Sequence, residues 1–103
     1  MAHPSEVNAA FEECGWTINL PLAELDQKYF SEDLAQFERY GTIVDFGFYG
    51  DGADPGRGIF RIYIVENQDW DSFKAKMDFA EEGLAFDVLR VLARLPSFGR
   101  PSQ

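Results

Sequence analysis

The chain has 103 residues, 46% hydrophobic and 16% aromatic, and its eighteen acids against nine bases leave a net charge of −9. That length predicts one domain, and the apolar content is too high for intrinsic disorder, yet no window holds the roughly 18 uncharged apolar residues of a membrane helix. The acidity excludes direct binding to bare DNA, RNA or anionic membranes, whose affinity rests on Lys and Arg meeting phosphates.

"PSEVNAAFEECG" predicts a short first helix. Ser5 suits an N-cap, Val7, Ala10, Phe11 and Cys14 follow the i, i+3, i+4, i+7 spacing, and Gly15 can supply a left-handed stop. "WTINL", residues 16–20, reads as a candidate third short strand closed by Pro21. "LAELDQKYF" fits a helical turn or a loop equally. "SEDLAQFERYG" predicts a second helix. Ser31 would cap it, Glu32 and Asp33 would sit against its N-terminal dipole, and Arg39 would lie in its last turn. Phe30, Leu34 and Phe37 would form its buried stripe, and Gly41 would end it.

Two strands follow, at 42–49 and 59–65. The period of two places Val44, Phe46 and Phe48 on one face with Phe60, Ile62 and Ile64. The opposite face is mixed: Ile43, Asp45 and Tyr49 lie with Ile59, Arg61, Tyr63 and Val65, a face that something could cover. From Asp69, a plausible N-cap, the chain reads as helical, with Trp70, Phe73, Met77 and Ala80 turned inward. Gly83 would kink that helix or divide it from "LAFDVLRVLARLP", which is apolar nearly all round and stopped by Pro96. Residues 96–103 read as a flexible tail. The expected fold is α+β, a small antiparallel sheet packed against helices in the order α–(β)–α–β–β–α–α, over residues 1–103 as a single acidic domain.

The most motif-like stretch is "FYGDGADPGRGIF", between the two central strands. A dinucleotide fingerprint fails there because Pro55 holds the third glycine position and a strand, not a helix, follows. No Lys-Ser or Lys-Thr follows a glycine, so there is no P-loop. An EF-hand would put Ala53 at a ligand position and has no closing acid. Asp45-Phe46-Gly47 spells the magnesium triplet of kinases without its companions and reads as a coincidence within a strand. A long hairpin loop explains every residue: glycines for positive φ, Asp51 and Asp54 for local turn bonds, and Pro55-Gly56 as a turn dipeptide.

His3 is the only histidine and Cys14 the only cysteine, so neither a Ser-His or Cys-His pair nor a zinc site is expected. A lone cysteine cannot form an internal disulfide, and "MAHPSEVNAAFEE" lacks a basic start and an apolar core, so no secretory signal is expected and the cytoplasm is the default compartment. The acid pairs Glu12-Glu13, Glu32-Asp33 and Glu81-Glu82 sit on faces expected to be solvated, where they serve solubility rather than acid–base catalysis. No catalytic residue, metal site or cofactor is expected.

The charge is uneven. Residues 1–86 hold seventeen acids against six bases, whereas residues 87–103 hold Asp87 against Arg90, Arg94 and Arg100. Glu66, Asp69, Asp71, Asp78, Glu81 and Glu82 would line the helix after the second central strand, opposed only by Lys74 and Lys76. With the tyrosines Tyr49 and Tyr63 nearby, and Asp51 and Asp54 in the loop, that composition fits a face for a basic protein partner such as a nuclease or nucleic-acid-binding protein. In size and charge the chain is analogous to small acidic bacterial or phage inhibitors: immunity proteins and nucleic-acid mimics. The sequence therefore predicts a non-enzymatic binding protein that inhibits or shields such a partner by occlusion. The alternative is a structural or regulatory small subunit or obligate homodimer that uses the apolar helix 84–95 as its interface.

Overall fold

Short alternating segments, rather than long amphipathic ones, dominate the fold. A computed structural model describes residues 3–23, 33–50, 58–67, 69–70 and 74–95. Helix α1 (Pro4–Glu13) precedes five strands, β1 (Thr17–Leu20), β2 (Ala35–Arg39), β3 (Thr42–Tyr49), β4 (Ile59–Glu66) and β5 (Ala75–Phe79), and helix α2 (Glu82–Arg94) follows them. The strands pair antiparallel in sequence order, β1-β2-β3-β4-β5, as one meander. Neighbours in sequence are thus neighbours in space, which keeps every connection local.

One face of this sheet carries the core. Phe37, Val44, Phe46, Ile62 and Ile64 join Val7, Phe11, Phe86 and Leu89 from the helices in a single buried cluster, so both helices cover the same face. The cluster is largely aromatic. Phe11 stacks on Phe37 at 3.8 Å and meets Trp16 edge-on at 5.2 Å, while Phe46 lies 5.9 Å from Phe60 and 6.0 Å from Phe86. Such pairs contribute about 0.5–1.5 kcal/mol each beyond the area they bury.

Where the first helix ends, Arg39 closes the structure. Its guanidinium lies 4.5 Å over the Trp16 ring and donates to the carbonyls of Cys14 and Leu95, the C-terminal caps of α1 and α2. Trp16 Nε1 donates in turn to Ala93 O, buried, at 3.1 Å. A cation is thereby held where both helix dipoles are negative. From the middle of α1, Asn8 clamps Leu22 through both of its backbone groups, at 2.8 and 2.9 Å.

The expected small sheet with four helices is not what forms: the order is α–β–β–β–β–β–α, and the described residues hold two helices. The first helix, strands 42–49 and 59–65, the short strand after Trp16 and the last helix lie where their patterns put them. The "SEDLAQFERYG" helix is instead strand β2, with Ala35 and Phe37 inward and Gln36 and Glu38 outward. The helix expected from Asp69 is instead strand β5, with Ala75, Met77 and Phe79 toward the core and Lys76 and Asp78 away. Trp70, expected inside, is exposed.

Both errors have one cause. Over five residues an alternating pattern also satisfies part of a 3.6 period, and Ala, Glu, Lys and Met favour helix on their own. Pairing with a neighbouring strand overrode that propensity. Gly41 does not end a helix but completes the two-residue turn Tyr40-Gly41 between β2 and β3, with φ of 52° and 79°. Gly83 neither kinks nor divides a helix and is buried in the first turn of α2. The N-cap of α1 is His3 rather than Ser5, with Pro4 at the first helical position, where its missing N–H costs nothing. Residues Phe30, Ser31, Glu32, Phe73 and 96–103 lie outside the described residues.

Two outcomes follow for stability. Arg39→Ala should destabilise by about 2–3 kcal/mol in urea denaturation, and Arg39→Lys should recover only part of this because it lacks the planar fork. Tyr40→Asn should stabilise by about 0.5–1 kcal/mol, since Asn tolerates the positive φ that this turn imposes and a bulky residue does not.

Candidate functional site

The sheet face turned away from the helices holds most of the remaining chemistry. Antiparallel register brings Tyr49, Arg61, Tyr63 and Asp78 onto it from β3, β4 and β5. The Tyr49 and Tyr63 rings meet edge-on at 5.8 Å, and the Arg61 guanidinium lies 4.9 Å over Tyr49 and 5.7 Å from Tyr63. Arg61 also grips Asp78 with a two-pronged ion pair, Nε to Oδ1 at 2.6 Å and Nη2 to Oδ2 at 3.2 Å. The hydrogen bond to Asp78 raises the Arg61 guanidinium above its ordinary range, and the bond from Arg61 lowers the Asp78 carboxyl. Both tyrosines are half-buried, so each still shows part of its ring to solvent.

A polar row continues across the same face. Asn19 donates to Gln36 at 3.0 Å and to Glu38 at 3.2 Å, and Gln36 donates to Asp45 at 3.2 Å. Asp45 stands directly opposite Tyr63 on β4. It is buried, as are Ile43 and Val65 beyond it, although the latter two are no part of the helix-side cluster. Burial pushes the Asp45 carboxyl up to about 6, the Gln36 hydrogen bond pulls it partway down, and the negative charge of Asp33 pushes it up again. A buried acid in the middle of a strand is therefore poised to titrate near 6.

The residues expected to form one acidic stripe are not brought together. Asp78 is engaged by Arg61 beside the tyrosines, and Glu66 is engaged by Lys74 at 2.8 Å near the opposite end of β4. Asp69 lies in the turn after β4, its N–H donating to Glu66 O, while Glu81 and Glu82 open α2 beyond the far end of β5. Among the described residues no helix connects them, because 75–79 is a strand. Asp51, Asp54 and Asp71 lie outside the described residues. Tyr49 and Tyr63 do come together, as the alternation of β3 and β4 foretold. Asp45, Arg61 and Gln36 join this face without standing out in the sequence as site residues. A lone acid inside the apolar run "TIVDFGFY", facing an arginine-bearing strand, was the available signal.

Two shallow grooves lie elsewhere. One of about 470 Å³ is lined by Asp87, Arg90, Val91, Arg94 and Leu95 on α2, and one of about 350 Å³ by His3, Pro4, Ser5, Asn8 and Leu22. Among the described residues no group of three or more His, Cys, Asp or Glu is arranged to hold a metal ion, and no helix is long and apolar enough to cross a membrane. Compared with known proteins, no family model matches the chain, and neither a curated protein nor a solved structure matches it significantly.

The Asp45 environment fixes the sign of a pH dependence. An unfolded Asp loses its proton near 3.8, whereas the folded one holds it to about 6. Stability therefore falls as pH rises through that window and is lowest above it. Asp45→Asn should stabilise by about 1–3 kcal/mol at neutral pH and by almost nothing below about pH 4. Urea denaturation across that range checks this, and a gain independent of pH would mean that ionisation at Asp45 is not the cause.

Proposed function

We propose that the chain is a non-enzymatic acidic binding protein that inhibits or shields a basic protein partner by occlusion, with the Tyr49–Arg61–Tyr63–Asp78 face as the contact. The observation that carries this reading is the tyrosine pair itself. Two half-buried rings pack edge-on against each other on the outer face of β3 and β4, in a chain with twice as many acids as bases. Rigid aromatic anchors supply contact area at low entropic cost, and a surrounding field of one sign accelerates encounter with a partner of the other.

The division of labour differs from a simple carboxylate stripe. Asp78 and Glu66 already have cations, so they offer a partner less than their charge suggests. Steering falls to the other acids, with Glu38 in the polar row and Glu81 and Glu82 at the start of α2. An incoming Lys or Arg can lie on a tyrosine face as Arg61 does within the chain.

The test is capture from the source organism's lysate on immobilised protein at low salt, followed by affinity measurements on what is recovered. A basic protein in stoichiometric yield, released as salt rises, is expected. Tyr49→Ala and Tyr63→Ala, with circular dichroism as the folding control, should each weaken its binding by about tenfold or more. The pair Glu81→Lys and Glu82→Lys should slow association several-fold at low salt while changing dissociation little. Binding indifferent to both tyrosine variants would sink the placement.

A further inference from the structure

The last helix has two apolar faces, and among the described residues only one is packed against the rest of the fold. Ala85, Phe86, Leu89 and Ala93 are buried against the sheet and α1. On the other side Leu84, Val91 and Leu95 are exposed by 57%, 59% and 40%, with the partly buried Val88 between them. Their spacing of i, i+4, i+7 and i+11 makes one continuous stripe along the helix, the seam that pairs helices. The shallow groove of about 470 Å³ beside Val91 and Leu95 runs along it.

We infer that this stripe is the contact for a second copy of the chain, packed antiparallel across a two-fold axis. Antiparallel packing about the middle of the helix sets Leu84 of one copy beside Leu95 of the other, and Val88 beside Val91. The charges support the same arrangement. Asp87 and Arg94 are seven residues apart and so share one flank of the stripe, two turns from each other. In an antiparallel pair like flanks adjoin, and this register puts Asp87 of each copy against Arg94 of the other, twice, as a self-complementary interface requires. A partner of one charge sign would meet either Asp87 or the arginines unfavourably.

Placement matters as well. Residues 87–103 carry one acid and three arginines, so this is where two copies of a −9 chain repel least. The surface does not rest on the tyrosine reading, because it belongs to the helix layer and the tyrosines to the opposite face of the sheet. A helix of this length presents a seam about 20 Å long, smaller than a standard interface, so the association is weak and reversible.

Sedimentation equilibrium of the full chain from about 10 µM to about 1 mM should show a monomer–dimer equilibrium. Val91→Glu, at a position outside the core, should weaken it at least about tenfold without changing the circular dichroism. Asp87→Arg alone and Arg94→Asp alone should each be monomeric over the same range, since like charges then adjoin. Mixing these two variants should restore a dimer, because every contact across the axis is again opposite in sign. A wild-type chain that stays monomeric at about 1 mM, a dimer untouched by Val91→Glu, or single variants that fail to pair on mixing would each overturn the inference.

Discussion

Arg39 stacked on Trp16 is the polar contact that ties the ends of both helices to the sheet. A guanidinium at the end of β2 reaches the last carbonyls of both helices, while the indole beneath it reaches a third carbonyl near the end of α2. Helix C-termini leave orphan acceptors and a partial negative charge, and one side chain answers both helices at once. The helices therefore end on the sheet at a common point. Phe11 and Phe37 continue the stack inward from Trp16, so the polar latch and the aromatic core form one column.

With both helices committed to one face, the other face must be stabilised by its own side chains. Among the described residues it does this with hydrogen bonds and an ion pair: Asn19 to Gln36 to Asp45 on one side, Arg61 to Asp78 on the other. The arrangement is costly at Asp45, whose carboxylate is buried with no cation beside it among the described residues, and generous at the tyrosines, which are braced yet half exposed.

The two proposed surfaces have opposite characters, and each suits its place. The tyrosine face belongs to the acidic part of the chain, residues 1–86, where the proposed basic partner would be attracted. The α2 stripe lies in the one stretch with a basic surplus, where a second acidic chain is tolerated. Because they occupy different layers, self-association leaves the tyrosines accessible, and two copies would present two such faces.

Much of the local structure was legible from residues alone. The first helix follows from Val7, Ala10, Phe11 and Gly15, the central hairpin from the alternation of Val44, Phe46 and Phe48 with Phe60, Ile62 and Ile64, and the two-sided apolarity of the last helix from its run of leucines and valines. These segments are long enough for one period to exclude the other. Strands β2 and β5 were not legible, because five residues such as "AQFER" and "AKMDF" are consistent with either period and their helix-forming residues point the wrong way. Only the tertiary structure decided them, since β-structure is stabilised by partners distant in sequence that supply the hydrogen bonds and the apolar face. The same reason governs the candidate site. Composition by itself determined that the chain is acidic and aromatic, but which acids are engaged, and that Tyr49 and Tyr63 touch beneath one arginine, depended on strand register, which exists only once the sheet has formed.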